Sequence, residues 1–335
     1  MAGPFPYYGP TSVQGYINEY RVDGEYALIG EDGDHFLKWR DQSMTLLVSG
    51  RFNVNNHAHL IKGTKNLTSW FYYYFSHRDL TPHLTRQGAG RYKLTKSSLV
   101  GIPCALPPVP EQEAIAEVLS KADALIECLE RIIAKKRLLK RGVMQKLLRP
   151  KDGWIEKCIV EIADCLDNLR IPLNDSQRAK MKGDYPYCGA NGILDYINDY
   201  CVDDSVILIA EDGGYFDEYM TRPIAYRMSG KFWVNNHAHI LKARADFDQD
   251  FLFYSLVHKN ILSFLANGTR AKLNKSELNK IMIQLPEKKT EQTVIAALLS
   301  AMDAEIALLE AQLAKYRQIK QGLMQNLLTG RIRLV

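Results

Sequence analysis

Two short stretches of this chain combine glycine with basic side chains in a way suited to gripping an anionic polymer. The first is Arg86-Gln87-Gly88-Ala89-Gly90-Arg91-Tyr92-Lys93, and the second is Asn267-Gly268-Thr269-Arg270-Ala271-Lys272. Glycine lets a backbone approach a phosphate closely, and Arg or Lys then serves as a phosphate clamp or a guanine reader. Arg86, Gly88, Arg91, Lys93, Gly268, Arg270 and Lys272 are therefore candidate DNA contacts. The other reading of both stretches is a solvated turn ahead of the next strand. Tyr7, Tyr8 and Tyr187 stand beside glycine at a strand exit and could line the same groove, although core packing would use them equally well.

Asn55-Asn56-His57-Ala58-His59 and its copy Asn235-Asn236-His237-Ala238-His239 invite a metal or nuclease reading, because His-x-His on a strand puts both rings on one face. No acid or cysteine accompanies both copies at ligand spacing, so hydrogen-bonded structural residues are the better reading and no metal is expected. Asp32 and Asp212 lie in Glu-Asp-Gly segments, where a turn role outweighs a catalytic one. The chain has no phosphate loop, dinucleotide fingerprint, zincin helix or Asn-Pro-Pro-aromatic segment. Catalysis and a cofactor are accordingly not expected. A metal-dependent nuclease would have to cut DNA with magnesium as the isolated chain.

These candidates occur in pairs because the chain repeats itself. Phe5-Pro6-Tyr7-Tyr8-Gly9 returns as Tyr185-Pro186-Tyr187-Cys188-Gly189, and Glu31-Asp32-Gly33 as Glu211-Asp212-Gly213, 180 residues later. Glu111-Gln112 matches Glu291-Gln292, and Gly142-Val143-Met144-Gln145 matches Gly322-Leu323-Met324-Gln325. A period of that length is domain-sized. Two copies of one unit are most simply two readers of two half-sites. A length of 335 residues allows two cores, and the net charge of +5 permits a nucleic-acid partner without demanding one. No apolar run is long enough to span a membrane and no secretory signal opens the chain, so a cytoplasmic location is expected. The six cysteines form no C-x-x-C pair and do not recur between repeats, which favours free thiols.

Each repeat needs two kinds of element to place its candidates. Tyr26 to Ile29 and Val206 to Ala210 read as buried strands entering the Glu-Asp-Gly turns, and Met44 to Val48 and Arg51 to Ile61 as strands joined at Ser49-Gly50. Ser69 to Phe75 and Phe251 to Val257 read as short helices. Beyond them, apolar steps of three and four run through Ile115, Leu119, Ala122, Ile126, Leu129 and Ile133, and again through Ile295, Leu299, Met302, Ile306, Leu309 and Leu313. That spacing predicts two long helices with one sticky seam, each about 55 to 60 Å long. Acids lie early and bases late in both, so an antiparallel pair sets opposite charges together. The alternative is that each helix packs on its own globule.

With these signals in this order, twice, the chain resembles the specificity subunit of type I restriction-modification systems. The carrying motifs are the aromatic-Pro-Tyr-x-Gly entry, the Asn-Asn-His-Ala-His segment, Leu-Pro leading to Glu-Gln-x-x-Ile at Leu106 to Ile115 and Leu285 to Ile295, and Gly-x-Met-Gln-x-Leu-Leu closing each helix. The resemblance implies a mixed α/β fold: target-recognition domains at 1–108 and 151–287, conserved helices at 109–150 and 288–330 paired as an antiparallel coiled coil, and a tail at 331–335. It implies a non-catalytic subunit that reads a bipartite, near-palindromic duplex. Two methyltransferase subunits would dock on helices carrying Leu119, Leu129, Leu139, Leu299, Leu309 and Leu323, and restriction subunits would join through the complex. The second repeat has a lead-in from Gly153-Trp154 that has no counterpart ahead of Phe5, so either the chain starts upstream of Met1 or the first domain is shortened; a shortened domain is expected to expose apolar surface. The competing reading is an orphan scaffold that assembles partners without full DNA recognition.

Overall fold

The computed structural model describes residues 3–87, 91–266 and 271–334. Two compact units form, one from residues 1–132 with 309–335 and the other from 133–308, so the boundary falls within both long helices.

In the first unit, four strands stand in the order Val13–Ile17, Phe5–Tyr8, Arg51–Val54, Val22–Asp23. Phe5–Tyr8 pairs antiparallel with Val13–Ile17 and parallel with Arg51–Val54. A second sheet sets Tyr26–Gly30 between Thr45–Val48 and Ala58–Ile61. Tyr26–Gly30 carries a nearly continuous apolar run, as a central strand buried on both faces should. Leu28, Val48 and Phe52 form one small core. The helix Thr68–Ser76 brings Trp70 and Phe75 to a larger one with Phe36, Met44, Leu119 and Leu327.

The second unit repeats this plan with Gly192–Ile197, Lys182–Gly189, Lys231–Val234 and Val202–Asp203, and with Val206–Ala210 between Ala225–Met228 and Ala238–Ala243. Its lead-in adds two strands. Trp154–Cys158 pairs with Met282–Pro286, and Ala163–Cys165 extends the sheet beyond Ala238–Ala243. The matching strand of the first unit, Ala58–Ile61, is a sheet edge among the described residues. Leu60 there is 37% exposed, where its mate Ile240 is 0% exposed.

One strand expected from sequence is two. Arg51 to Ile61 breaks at Asn55, whose side-chain oxygen accepts the His57 backbone N–H at 2.9 Å; Asn235 and His237 repeat this at 2.8 Å. Such an Asx turn redirects the chain, so the halves enter different sheets. At the preceding turn, which also joins strands of different sheets, Gly50 has φ 89° and Gly230 φ 79°, conformations that glycine adopts without strain.

The long helices span Val109–Leu147 and Lys289–Leu327. In the first unit Glu111 pairs with Arg333, Asp123 with Lys320, and Glu130 with Arg317. In the second, Lys136 pairs with Glu305 and Lys140 with Asp303. Partner numbers fall as residue numbers rise, so the segments run antiparallel, as the charge pattern requires. Each unit also fastens its own helix segment. Tyr73 donates to Asp123 at 3.0 Å in the first, and Tyr254 to Asp303 at 2.6 Å in the second. Buried Gln112 and Gln292 explain the repeated Glu-Gln. Gln112 accepts the Leu67 N–H and donates to the Pro107 carbonyl, and Gln292 does the same with Asp248 and Pro286.

All six cysteines are free thiols, and among the described residues no helix is long and apolar enough to cross a membrane.

Candidate nucleic-acid interface

The two basic stretches are built onto the Glu-Asp-Gly turns. In the first unit the Leu94 N–H donates to the Glu31 carbonyl at 2.7 Å, the Gly33 N–H to the Tyr92 carbonyl at 3.1 Å, and Asp32 bridges Lys93. In the second the Leu273 N–H donates to the Glu211 carbonyl at 2.7 Å, and Asp212 bridges Lys272. The lysines that end each stretch are drawn back onto these turns. Lys93 meets Glu31 at 3.1 Å and Lys272 meets Glu211 at 2.9 Å. They anchor the stretch as well as charging it, which the sequence did not reveal.

In the first unit, Thr85–Gln87 and Arg91–Lys93 pair as a two-stranded ribbon. The Arg86 guanidinium lies 4.9 Å from the Tyr92 ring centre and donates to its hydroxyl at 2.7 Å. Arg91 is exposed and its side chain has no partner among the described residues. Gly88, Gly268 and Arg270 lie outside the described residues.

The tyrosines divide. Tyr8 packs edge-on against Phe52 at 5.7 Å and is half-buried, as is Tyr7. Tyr187 is 2% exposed, and its hydroxyl exchanges hydrogen bonds with the backbone of Leu173 in the lead-in. It is a core residue and leaves the set of candidate contacts, because the lead-in covers it.

His59 donates from Nε2 to the Leu94 carbonyl at 2.8 Å, and His239 to the Leu273 carbonyl at 2.7 Å. These are structural rings, each tying the strand after the Asn-Asn turn to the foot of the basic stretch. In the second unit alone, Asp167 takes the Nδ1 side of His239 at 2.7 Å and Arg170 bonds Glu211 and Asp167. Cys165 adds a thiol, bringing ligand-type atoms of Cys165, Asp167 and His239 within 4.8 Å of one another. They suit a metal poorly. Both ring nitrogens are spent on oxygen acceptors, Arg170 neutralises the carboxylate, and burial, with Asp167 beside it, pushes the Cys165 thiol up to about 12.

Burial alone would raise the Glu211 and Asp167 carboxyls. Arg170 and Lys272 at Glu211, and His239 at Asp167, outweigh it and hold both below their ordinary values of 4.5 and 3.8. A depressed folded-state value stabilises the fold above the unfolded-state value and is lost as pH falls through the folded one. Acid titration is therefore expected to weaken the second unit increasingly below about pH 4.5. Hydrogen exchange resolved by unit checks this, and Glu211→Gln should flatten the dependence.

The six seam leucines fare differently. Leu119, Leu129 and Leu299 are buried and already spent on packing within the protein, while Leu309 and Leu323 are half-buried. Leu139 is 54% exposed and is the one of the six most open to a partner.

The sequence model of the family described as type I restriction modification DNA specificity domain matches residues 1–135 and again 151–318. A specificity subunit of a type I restriction enzyme from Haemophilus influenzae is 37% identical over 165 residues, covering 49% of this chain and 41% of that protein. The MjaVIII specificity subunit of Methanocaldococcus jannaschii is 24% identical, covering 100% of this chain and 87% of its own. The crystal structure of a type I restriction-modification S subunit from M. genitalium superposes with a TM-score of 0.71 at 15% identity, over 97% of this chain and 88% of that one. The fold is thus shared, and with both repeats matched, the chain belongs to the type I restriction-modification DNA specificity family.

Proposed function

We propose that this chain is the sequence-reading subunit of a type I restriction-modification complex, with each unit contacting one half of a bipartite duplex. The observation that carries this is the same construction found twice: a Glu-Asp-Gly turn holding the foot of a basic, glycine-containing stretch. Arg86, Arg91, Lys93 and Lys272 would supply positive charge, joined by Gly88, Gly268 and Arg270, with Tyr7 and Tyr8 at the margin. Because the units share their plan, the half-sites should be similar and inverted. The long helices would fix the spacer and dock two methyltransferase subunits, with restriction subunits joining through the complex. Chemistry would belong to those partners.

The test is duplex binding by the complex with its modification subunits across a salt series. Arg91→Ala is expected to lower affinity several-fold for all sequences alike and to reduce the salt slope by about 0.9, the share of one phosphate contact. An unchanged slope would remove Arg91 from the interface. Binding that ignores both salt and sequence would overturn the function.

A further inference from the structure

Both units hold one histidine in a way that core packing does not require. His57 donates from Nδ1 to Asp32 at 2.8 Å, and His237 to Asp212 at 2.7 Å. Their backbones are pinned on both sides. The N–H goes to Asn55 or Asn235, and the carbonyl accepts the N–H of Glu31 or Glu211 at 2.8 and 2.9 Å. Yet the rings are open, with side chains 44% and 42% exposed. Nε2 has no partner in either unit among the described residues. The backbone of each aspartate that aims a ring also pairs, antiparallel, with that of the lysine closing the basic stretch, Lys93 or Lys272.

Resting on the function proposed above, we infer that His57 and His237 are specificity residues, each hydrogen-bonding a base edge in its half-site through Nε2. The carboxylate takes Nδ1, so only Nε2 is offered outward, as a lone pair when the ring is neutral and as an N–H when it is charged. A phosphate contact is the poorer fit. A protonated ring beside its own carboxylate adds no net positive charge, whereas exposed Arg91, which faces no carboxylate among the described residues, would supply that role in the first unit. A pinned ring with one free hydrogen-bonding atom suits the directional contact that discriminates between bases.

The test is His57→Phe and His237→Phe, which keep a ring and remove Nε2, each assembled with the modification subunits. Affinity is measured for the cognate duplex and for every single-base variant of it, at several salt concentrations. Each change is expected to cost roughly tenfold in discrimination at one base pair of one half-site, with the salt slope unchanged. Asp212→Asn, which leaves Nε2 in place but loosens its aim, should blur the same base pair as His237→Phe by a smaller factor, and melting temperature reports whether each variant folds. Intact discrimination in both histidine variants would overturn the assignment while leaving the DNA-reading function standing. A salt slope lower by about one would make the histidines phosphate contacts and overturn it equally. A wild-type complex that prefers no sequence would sink the function and this inference together.

Discussion

Leu299→Asp is expected to unfold the second unit. Leu299 is 0% exposed and belongs to the core that holds Phe251, Ile283, Leu285 and Ile295. Truncating such a leucine to Ala costs about 2 to 5 kcal/mol, and a carboxylate at the same place adds the cost of burying an unpaired charge. Against a total stability of about 5 to 15 kcal/mol, that is enough to abolish cooperative folding. The mate, Leu119→Asp, should do the same to the first unit, where Leu119 packs with Trp70, Phe75 and Leu327. Leu139→Asp is the contrasting case. Its side chain faces solvent, so its melting curve should stay within about 0.5 kcal/mol of wild type. If the helices dock the methyltransferase subunits there, co-purification of those subunits should fall nonetheless. Circular dichroism melts and pull-down of the modification subunits read the two effects separately.

The second large effect is expected at Arg170. Its guanidinium bonds Glu211 and Asp167 and also donates to the Ala238 carbonyl at 3.2 Å, all three side chains being largely buried. Removing one partner of a buried ion cluster strands the others, typically at about 3 to 5 kcal/mol. Arg170→Met should therefore lower the melting temperature of the second unit by roughly 10 °C. The double change Arg170→Met with Glu211→Met should recover part of that loss, because it removes one of the two stranded carboxylates and leaves Asp167 with His239. Recovery would show that the stranded charge, and not lost packing, causes the effect. The first unit has only Lys93 for Glu31 among the described residues and should be unaffected.

What the sequence made legible is what periodicity and repetition encode. Steps of three and four specify a helix whatever it packs on, and the placement of acids before bases carried the antiparallel pairing through to Lys136 with Glu305 and Glu130 with Arg317. Tyr26 and Val206 open strands because an unbroken apolar run suits a strand covered on both faces. Distant contacts that no repeated pattern marks were not legible. Arg170 has no mate in the first repeat, so nothing in the pattern marked it, and its partner Glu211 is 41 residues away. Tyr187 resembled Tyr7 in sequence, but only Tyr187 is covered by the backbone of Leu173. His57 and His59 looked alike as His-x-His. The Asx turn at Asn55 separates them, leaving His59 on a strand and His57 in the turn beside Asp32. The side-chain-to-backbone bond made in each unit by Asn55 and Asn235 was foreseeable from the turn preference of Asn-Asn, had the strand not been extended through it.

On the proposed function, two like units each read half of one target. Long-read methylation mapping of DNA from cells making this chain with its modification subunits tests it most directly. A single bipartite methylated motif, with similar inverted halves and a fixed unread spacer, is the predicted result. A stable complex that leaves no methylated motif, or one whose motif has a single specified half, would contradict it.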